Sequence, residues 1–591
     1  MSDITQSSAA IALKRVRFWF AALIIILSIF IVRLFYLQII KYNYYHQAAL
    51  SDQLKQYEIA PTRGIIEAQE SGQAVPIVLN QTLYTLYADP TLVKNYKTDA
   101  SDIAKVIGGT PSDYYGELLT QETRYVVIAK KISATQSNAI LKYQLPGIGT
   151  QGQDYRVYPQ GQLASQLLGF VNDSGQGEYG VEQALNNELK GQPGMLKAVT
   201  NINGVPLASS KNNIQKNPVP GNNVVLTINV AIQQQLEQIL KEEYQKTNSQ
   251  GINAIVMDPD NGQIVAMGNY PTYNPVDYES VTNPELFQNG AVTNAIEPGS
   301  SMKTLTTSSA LDQGVIQPNT SFYDPAHWVV DGFNITDIEQ DGGPREQNIA
   351  SILALSLNTG AVWMLMQMGG GQIDQKGVEA WHNYMVDHFL LGQPTGVEQG
   401  YESAGYVPPA NLADPSIDLT YADSAFGQGV TVTPIQMAGA LSSILNGGTY
   451  YQPTLVSQTI TPSGQTINNP PKVKKTDTVS PKVGPELIPL MENVVTTYLH
   501  EGFPYMSFPS NYLVGGKTGT AQIAAPTGGY YPNTFNGTYV GFVGGNEPQY
   551  VIVVFNNKPN VTGYAGSMGG QPVFADIAHM LINESYVTPK T

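Results

Sequence analysis

The sequence predicts an α+β protein: one N-terminal membrane helix, a turn-rich middle, and a second half built on an antiparallel sheet flanked by helices. Three observations predict this. The run Phe18 to Ile40 is apolar and broken only by Arg33 and a few uncharged polar residues. Residues 57–220 read as short strands and helices punctuated by Gly, Pro, Asn and Asp. After residue 221 a strand and a hairpin come first, then helices, then more strands, an order that suits one antiparallel sheet with helices packed on it.

The chain has 591 residues, more than one hydrophobic core organises, so two or three domains are expected. A hydrophobic content of 42% can build them. The formal net charge of −16 argues against nucleic acid, because phosphate binding needs basic stripes. There are no cysteines. That excludes disulfides, thiolate catalysis and cysteine metal sites, and suits a location outside the cytosol.

The elements follow in order. As a helix, Phe18–Ile40 spans ~35 Å, enough for a bilayer. Lys14, Arg15 and Arg17 precede it, so the positive-inside rule places the N-terminus in the cytoplasm and the rest of the chain outside. Arg33 can snorkel to the headgroups, and no small-residue cleavage site follows it, so an uncleaved anchor is expected. Lys41 to Leu50 reads as a helix leaving the membrane, and Asn201 to Gly221 as a polar junction. Val224–Ile228 reads as a strand and Ala231–Leu240 as an amphipathic helix. Ala254–Asp258 and Gln263–Met267 read as a hairpin around Pro259-Asp260-Asn261-Gly262. A helix running to Asp312 is stopped by Gly314, and helices are expected to dominate from Ser300 to about Gln372 and again at Pro434–Leu445. Val514–Thr520, Thr538–Val543 and Tyr550–Phe555 read as strands, and Thr459–Ser480 as an exposed excursion.

Three short motifs carry chemistry. Ser300-Ser301-Met302-Lys303 follows the turn Glu297-Pro298-Gly299. Ser356-Leu357-Asn358 and Lys517-Thr518-Gly519-Thr520 come later, in that order. A hydroxyl is a weak nucleophile near neutral pH and needs a base within hydrogen-bond reach. On a helix, Lys303 falls on the face of Ser300, one turn on. A helix start offers free N–H groups to a developing oxyanion, and a buried lysine can lose its proton and act as a base.

A serine with a lysine three residues on, a Ser-x-Asn and a Lys-Thr-Gly, so ordered, resemble the acyl-transfer set of penicillin-binding proteins and serine β-lactamases. The flanks resemble class B penicillin-binding proteins in particular: Glu297 to Lys303, Phe426-Gly427-Gln428-Gly429 with Val432-Thr433-Pro434, and Lys517 to Gln522. So do Leu226 to Asn229, Asp258-Pro259 with Gly262, and Arg63-Gly64. Arg156 to Pro159, Gly169 to Val171, Gly180 to Glu182 and Leu189 to Gly191 resemble the non-catalytic half of that family. The septal cell-division type is the most similar. Three positions depart from the family pattern: Glu67 to Gly72 replaces an Asp-Arg-Asn-Gly-like stretch, Asn229 stands where Asp is common, and Leu357 where Ser or Asp is frequent.

The resemblance implies four segments: a cytoplasmic tail (1–17), a transmembrane anchor (18–40), an elongated pedestal for dimerisation or partner docking (41–220) and a transpeptidase domain (221–591). It implies that Ser300 forms an acyl-enzyme with a D-Ala-D-Ala peptidoglycan stem, with Lys303 as base and Ser356 as proton relay. Asn358 would hold Lys303 or the substrate amide. Lys517 would supply positive potential, and Thr518, Gly519 and Thr520 would bind the substrate, its carboxylate on the two threonines. The oxyanion hole would be the N–H groups of Ser300 and Thr520. Implied partners are nascent peptidoglycan, the membrane, a membrane glycan polymerase, divisome proteins, and β-lactams as inhibitors. No cofactor and no metal are expected: His382 and His388 lack zinc-helix spacing, and Gly516-Lys517-Thr518 lacks the glycine that opens a phosphate-binding loop. Two other readings remain open, a D,D-carboxypeptidase or β-lactamase with water as acceptor, and a scaffold that activates the polymerase.

Overall fold

The computed structural model describes residues 3–45, 54–120, 123–199, 214–337, 343–411, 416–525 and 528–591. The chain divides into two compact units, Met1–Thr62 with Gly191–Pro220, and Arg63–Lys190 with Gly221–Thr591.

In the first unit a helix spans Asp3–Phe35 and widens into a single π-helical turn over Tyr36–Ile40. Arg15–Ile40 is long and apolar enough to cross a membrane. Its Phe18, Trp19, Leu23 and Phe30 side chains are exposed, as a lipid-facing surface requires. Residues 42–45 are helical; the rest of the predicted helical exit, 46–50, lies outside the described residues, as does most of the predicted junction, 201–213. The strand Gly194–Val199 pairs antiparallel with Leu54–Ile59 on one side and Ile214–Lys216 on the other.

The second unit contains two principal sheets. In one, Ile66–Glu70 pairs parallel with Asn223–Asn229 and antiparallel with Gln73–Ala88. The same sheet thus holds residues from before and after the predicted border at 220/221, and Val456–Ile460 extends it. A buried ionic pivot reinforces it. Glu182, fully buried, meets Arg63 (2.6 Å) through one carboxylate oxygen and Arg156 (2.8 Å) through the other. Asn80 and Asn186 accept from the remaining guanidinium nitrogens at 2.8 Å. Two forked guanidiniums on one carboxylate satisfy its lone pairs, which is what allows the charge to be buried.

The other sheet is wholly antiparallel, in the order Ile264–Tyr270, Gly251–Met257, Pro548–Asn557, Tyr530–Gly544, Leu513–Ala524. Val, Ile and Phe build its central strands as near-continuous buried runs, Ile252–Met257 and Val551–Phe555. Val230–Thr247 packs with the C-terminal helix Gln571–Asn583 against it. Lys303–Asp312, Pro434–Leu445 and Val483–His500 form a second helical group. The departures are informative. Asn229 caps the helix that follows, its side chain accepting from Ala231 N and Ile232 N at 3.0 and 3.1 Å, so it serves the backbone where an acid is common. Leu357 is fully buried, so it adds to the core and not to any cleft.

Two expectations are corrected. Helices do not occupy the whole of 300–372: Ser321–Asp324 pairs with Arg345–Asn348, and His327–Val330 with Phe333–Thr336. The stretch around Trp328, Val329, Val330, Asp331 and Gly332 combines β-favouring side chains with a turn dipeptide. Likewise Thr459–Ser480 is not all excursion, because Val456–Ile460 is paired on both sides, by Asn223–Asn229 and Thr466–Asn468.

Candidate active site

The helix Lys303–Asp312 is rich in hydroxyls, yet Lys303 through Leu311 are buried. It tolerates burial because each hydroxyl finds an acceptor. Thr304, Ser308 and Ser309 donate to carbonyls one turn back at 2.7–2.8 Å, and Thr306 donates to Ala425 O at 2.8 Å. Before this helix, Gly299–Met302 forms a tight 3₁₀ turn. In such a turn residues i and i+3 eclipse, which sets Ser300 beside Lys303. Ser300 therefore sits just before the helix proper and not at its first residue.

Lys303 Nζ lies 2.9 Å from Ser300 Oγ, 2.8 Å from Asn358 Oδ1 and 2.6 Å from Ser356 O. Ser356 presents that carbonyl from a left-handed backbone (φ 61), a conformation that costs a non-glycine residue about 1–2 kcal/mol. Lys517 Nζ lies 3.0 Å from Ser356 Oγ, which is also 3.4 Å from Lys303 Nζ. Ser356 Oγ thus stands between two lysines. Thr518 Oγ1 is 2.6 Å from Tyr498 OH.

The strand carrying Lys517 approaches the nucleophile turn closely. A Cβ on Gly519 would come within 2.2 Å of Pro298 O and of Thr538 Oγ1, and one on Gly299 within 2.6 Å of Thr520 O. Only glycine permits this juxtaposition of the Ser300 and Thr520 main chains. On the other flank Gly299 N donates to Gly427 O (3.0 Å), and Glu297 Oε1 accepts from Gly429 N (2.9 Å) and Tyr530 OH (3.1 Å). Phe426 to Gly429 thus buttresses the turn.

Burial disfavours the protonated form of both lysines. The Lys303 ammonium is pushed well below its usual range, by desolvation first and then by the neighbouring Lys517 charge, with Asp337 opposing. Lys517 is lowered to about 7, again by burial, with Glu501 opposing. Two buried cations side by side repel, which favours loss of a proton from Lys303.

Ser300, Ser356, Asn358, Thr518 and Thr520 line a cleft of about 780 Å³. All eight residues expected from the motifs converge there or directly behind it. Sequence reasoning missed four. Asp337, which accepts from Thr359 N and Thr359 Oγ1 at 3.0 and 2.6 Å, carried no motif. Tyr498 and Glu501 sit at the end of Val483–His500, where helix periodicity alone gave no reason to single them out. Tyr530 lies in a strand whose pairing sets its reach.

A family profile described as the penicillin binding protein transpeptidase domain matches residues 252–579. The chain belongs to this family. The penicillin-binding protein dimerisation domain matches residues 58–226, which gives the two-domain order of class B penicillin-binding proteins. Stage V sporulation protein D of Bacillus subtilis is 29% identical over 581 residues, covering 98% of this chain and 86% of that protein. Peptidoglycan D,D-transpeptidase FtsI of Escherichia coli K12 is 25% identical over 542 residues, covering 91% of this chain and 86% of the relative. In fold, penicillin binding protein 2X of Streptococcus thermophilus matches with a TM-score of 0.72 at 24% identity, over 90% of this chain and 80% of that one. Penicillin binding protein 3 of Mycobacterium tuberculosis, complexed with aztreonam, matches with a TM-score of 0.68 at 23% identity, over 90% and 98%.

Proposed function

We propose that this penicillin-binding protein is a membrane-anchored serine D,D-transpeptidase that cross-links peptidoglycan stems, in septal wall synthesis, and is inhibited by β-lactams. The observation that carries the reading is a buried Lys303 amine, depressed in pKa, 2.9 Å from Ser300 Oγ. Ser300 Oγ attacks the carbonyl of the penultimate D-Ala while its proton passes to Lys303. The oxyanion meets the N–H groups of Ser300 and Thr520, where one donor is worth ~10²–10³ in rate. The proton then moves by way of Ser356 to the departing D-Ala amine, leaving an ester on Ser300. Asn358 holds the Lys303 amine. Lys517 supplies positive potential, Thr518 and Thr520 receive the substrate's terminal carboxylate, and Gly519 completes the strand that binds the substrate. An acceptor amine then takes the acyl group.

Residues 1–17 are read as a cytoplasmic tail, 18–40 as the anchor, 41–220 as the pedestal and 221–591 as the extracytoplasmic transpeptidase domain. The apolar span Arg15–Ile40 supports the anchor and the relative named as a peptidoglycan D,D-transpeptidase supports the activity; the septal role, a partner glycan polymerase and divisome proteins complete the reading. The test is Ser300→Ala in the full chain. Wild type is expected to form a covalent adduct with fluorescent penicillin and to yield dimeric muropeptides; S300A should do neither. A labelled S300A protein would overturn the assignment, and trimmed monomers without dimers would point to hydrolysis.

A further inference from the structure

We propose that Glu501 docks the protonated acceptor amine at the rim of the Ser300 cleft and so favours transfer over hydrolysis. This deepens the transpeptidase reading and rests on it. Glu501 is the acidic side chain among the described residues lining the cleft, and it is exposed at the rim, where a macromolecular acceptor can reach it.

Its placement runs against local preference. Glu501 directly follows the helix Val483–His500, at the C-terminal end where the carbonyl dipoles are already negative and a cation is the favoured neighbour. Violations of a local rule concentrate at functional sites. The position is also held. Tyr498, one turn earlier, bonds Thr518 Oγ1 at 2.6 Å and ties this helix end to the Lys517 strand. Phe503 and Tyr564 line the same cleft and offer rings that suit a cation.

The chemistry needs such a group. An acceptor amine arrives as an ammonium, and the cleft already contains Lys517 at its base. A carboxylate at the rim offsets that charge and orients the nitrogen. The ammonium gives one proton to solvent. The neutral nitrogen attacks the acyl carbonyl, a C–N bond forms, and the C–O bond to Ser300 breaks. Lys303 takes the second proton from nitrogen and returns it to Ser300 Oγ. Water needs no ammonium docking, so hydrolysis does not draw on Glu501.

The test uses the full chain in detergent, an N-acyl-D-alanyl thioester as donor, and Nα-acetyl-lysine amide or water as acceptor. In E501Q the ratio of transfer to hydrolysis should fall about tenfold, a partition of one acyl-enzyme that does not depend on how fast that acyl-enzyme forms. E501K should fall further and E501D should recover most of the ratio. An unchanged ratio in E501Q overturns the proposal. So does a parallel loss of acylation and transfer, which would mean that Glu501 acts through the Lys517 charge. If wild type hydrolyses the thioester without ever transferring, the transpeptidase reading itself fails, a result separable from either of these.

Discussion

Gly519→Ala tests whether catalytic geometry in this protein depends on two backbones touching. The added Cβ would lie 2.2 Å from Pro298 O and 2.2 Å from Thr538 Oγ1, with Ser301 N at 3.0 Å. A carbon–oxygen contact needs roughly 3.3 Å. The strand or the nucleophile turn must therefore retreat by about 1 Å. Neither neighbour yields easily, since Pro298 O also accepts from Ser301 Oγ (2.8 Å) and Thr538 Oγ1 (2.7 Å). Overpacking of this kind costs ~1–3 kcal/mol of stability. A displacement of ~1 Å between nucleophile and oxyanion donors costs on the order of 10²-fold in rate. Acylation by fluorescent penicillin, followed by gel, measures the second and thermal unfolding the first. Gly116→Ala, in the helix Tyr115–Leu119, whose Cβ meets nothing within 4 Å, is the control and should lose neither acylation nor stability. If G519A acylates within about threefold of wild type, the close approach does not set the oxyanion geometry and the reasoning fails.

Other outcomes follow from burial and charge. Folded Lys517 loses its proton near pH 7, whereas unfolded lysine keeps it to ~10.4. Between those values the unfolded chain binds more protons, so this group's contribution raises stability as pH rises and removes it as pH falls through about 7. The difference in melting temperature between wild type and Lys517→Met should therefore change steadily from pH 7 to 9.5 in favour of wild type; a flat difference refutes it. Glu182→Gln leaves two buried guanidiniums facing a neutral amide and should cost ~3–5 kcal/mol in denaturant unfolding. Because Glu182 lies outside the cleft, protein that remains folded should keep its penicillin acylation rate.

The sequence alone determined the apolar N-terminal helix, most strands and helices of the C-terminal half, and the kinds of group at the site. These are properties of local pattern: an apolar run, periodicities of 2 and 3.6, and short motifs in which Ser300 and Lys303 are three residues apart. Gly519 within its motif was legible too, although the reason for it was not, since Pro298 and Thr538 are distant in the chain. The tertiary structure decided what those groups can do. Ser356 reaches Lys303 across 53 positions and Lys517 across 161, and no local pattern encodes either meeting. The depressed pKa values arise from desolvation and, at Lys303, from the Lys517 charge, with Asp337 and Glu501 opposing; folding brings all of these together, so no motif could assign them. Folding also set Ile66–Glu70 beside Asn223–Asn229 in one sheet, because hydrogen-bonded edges pair by geometry and not by order in the chain.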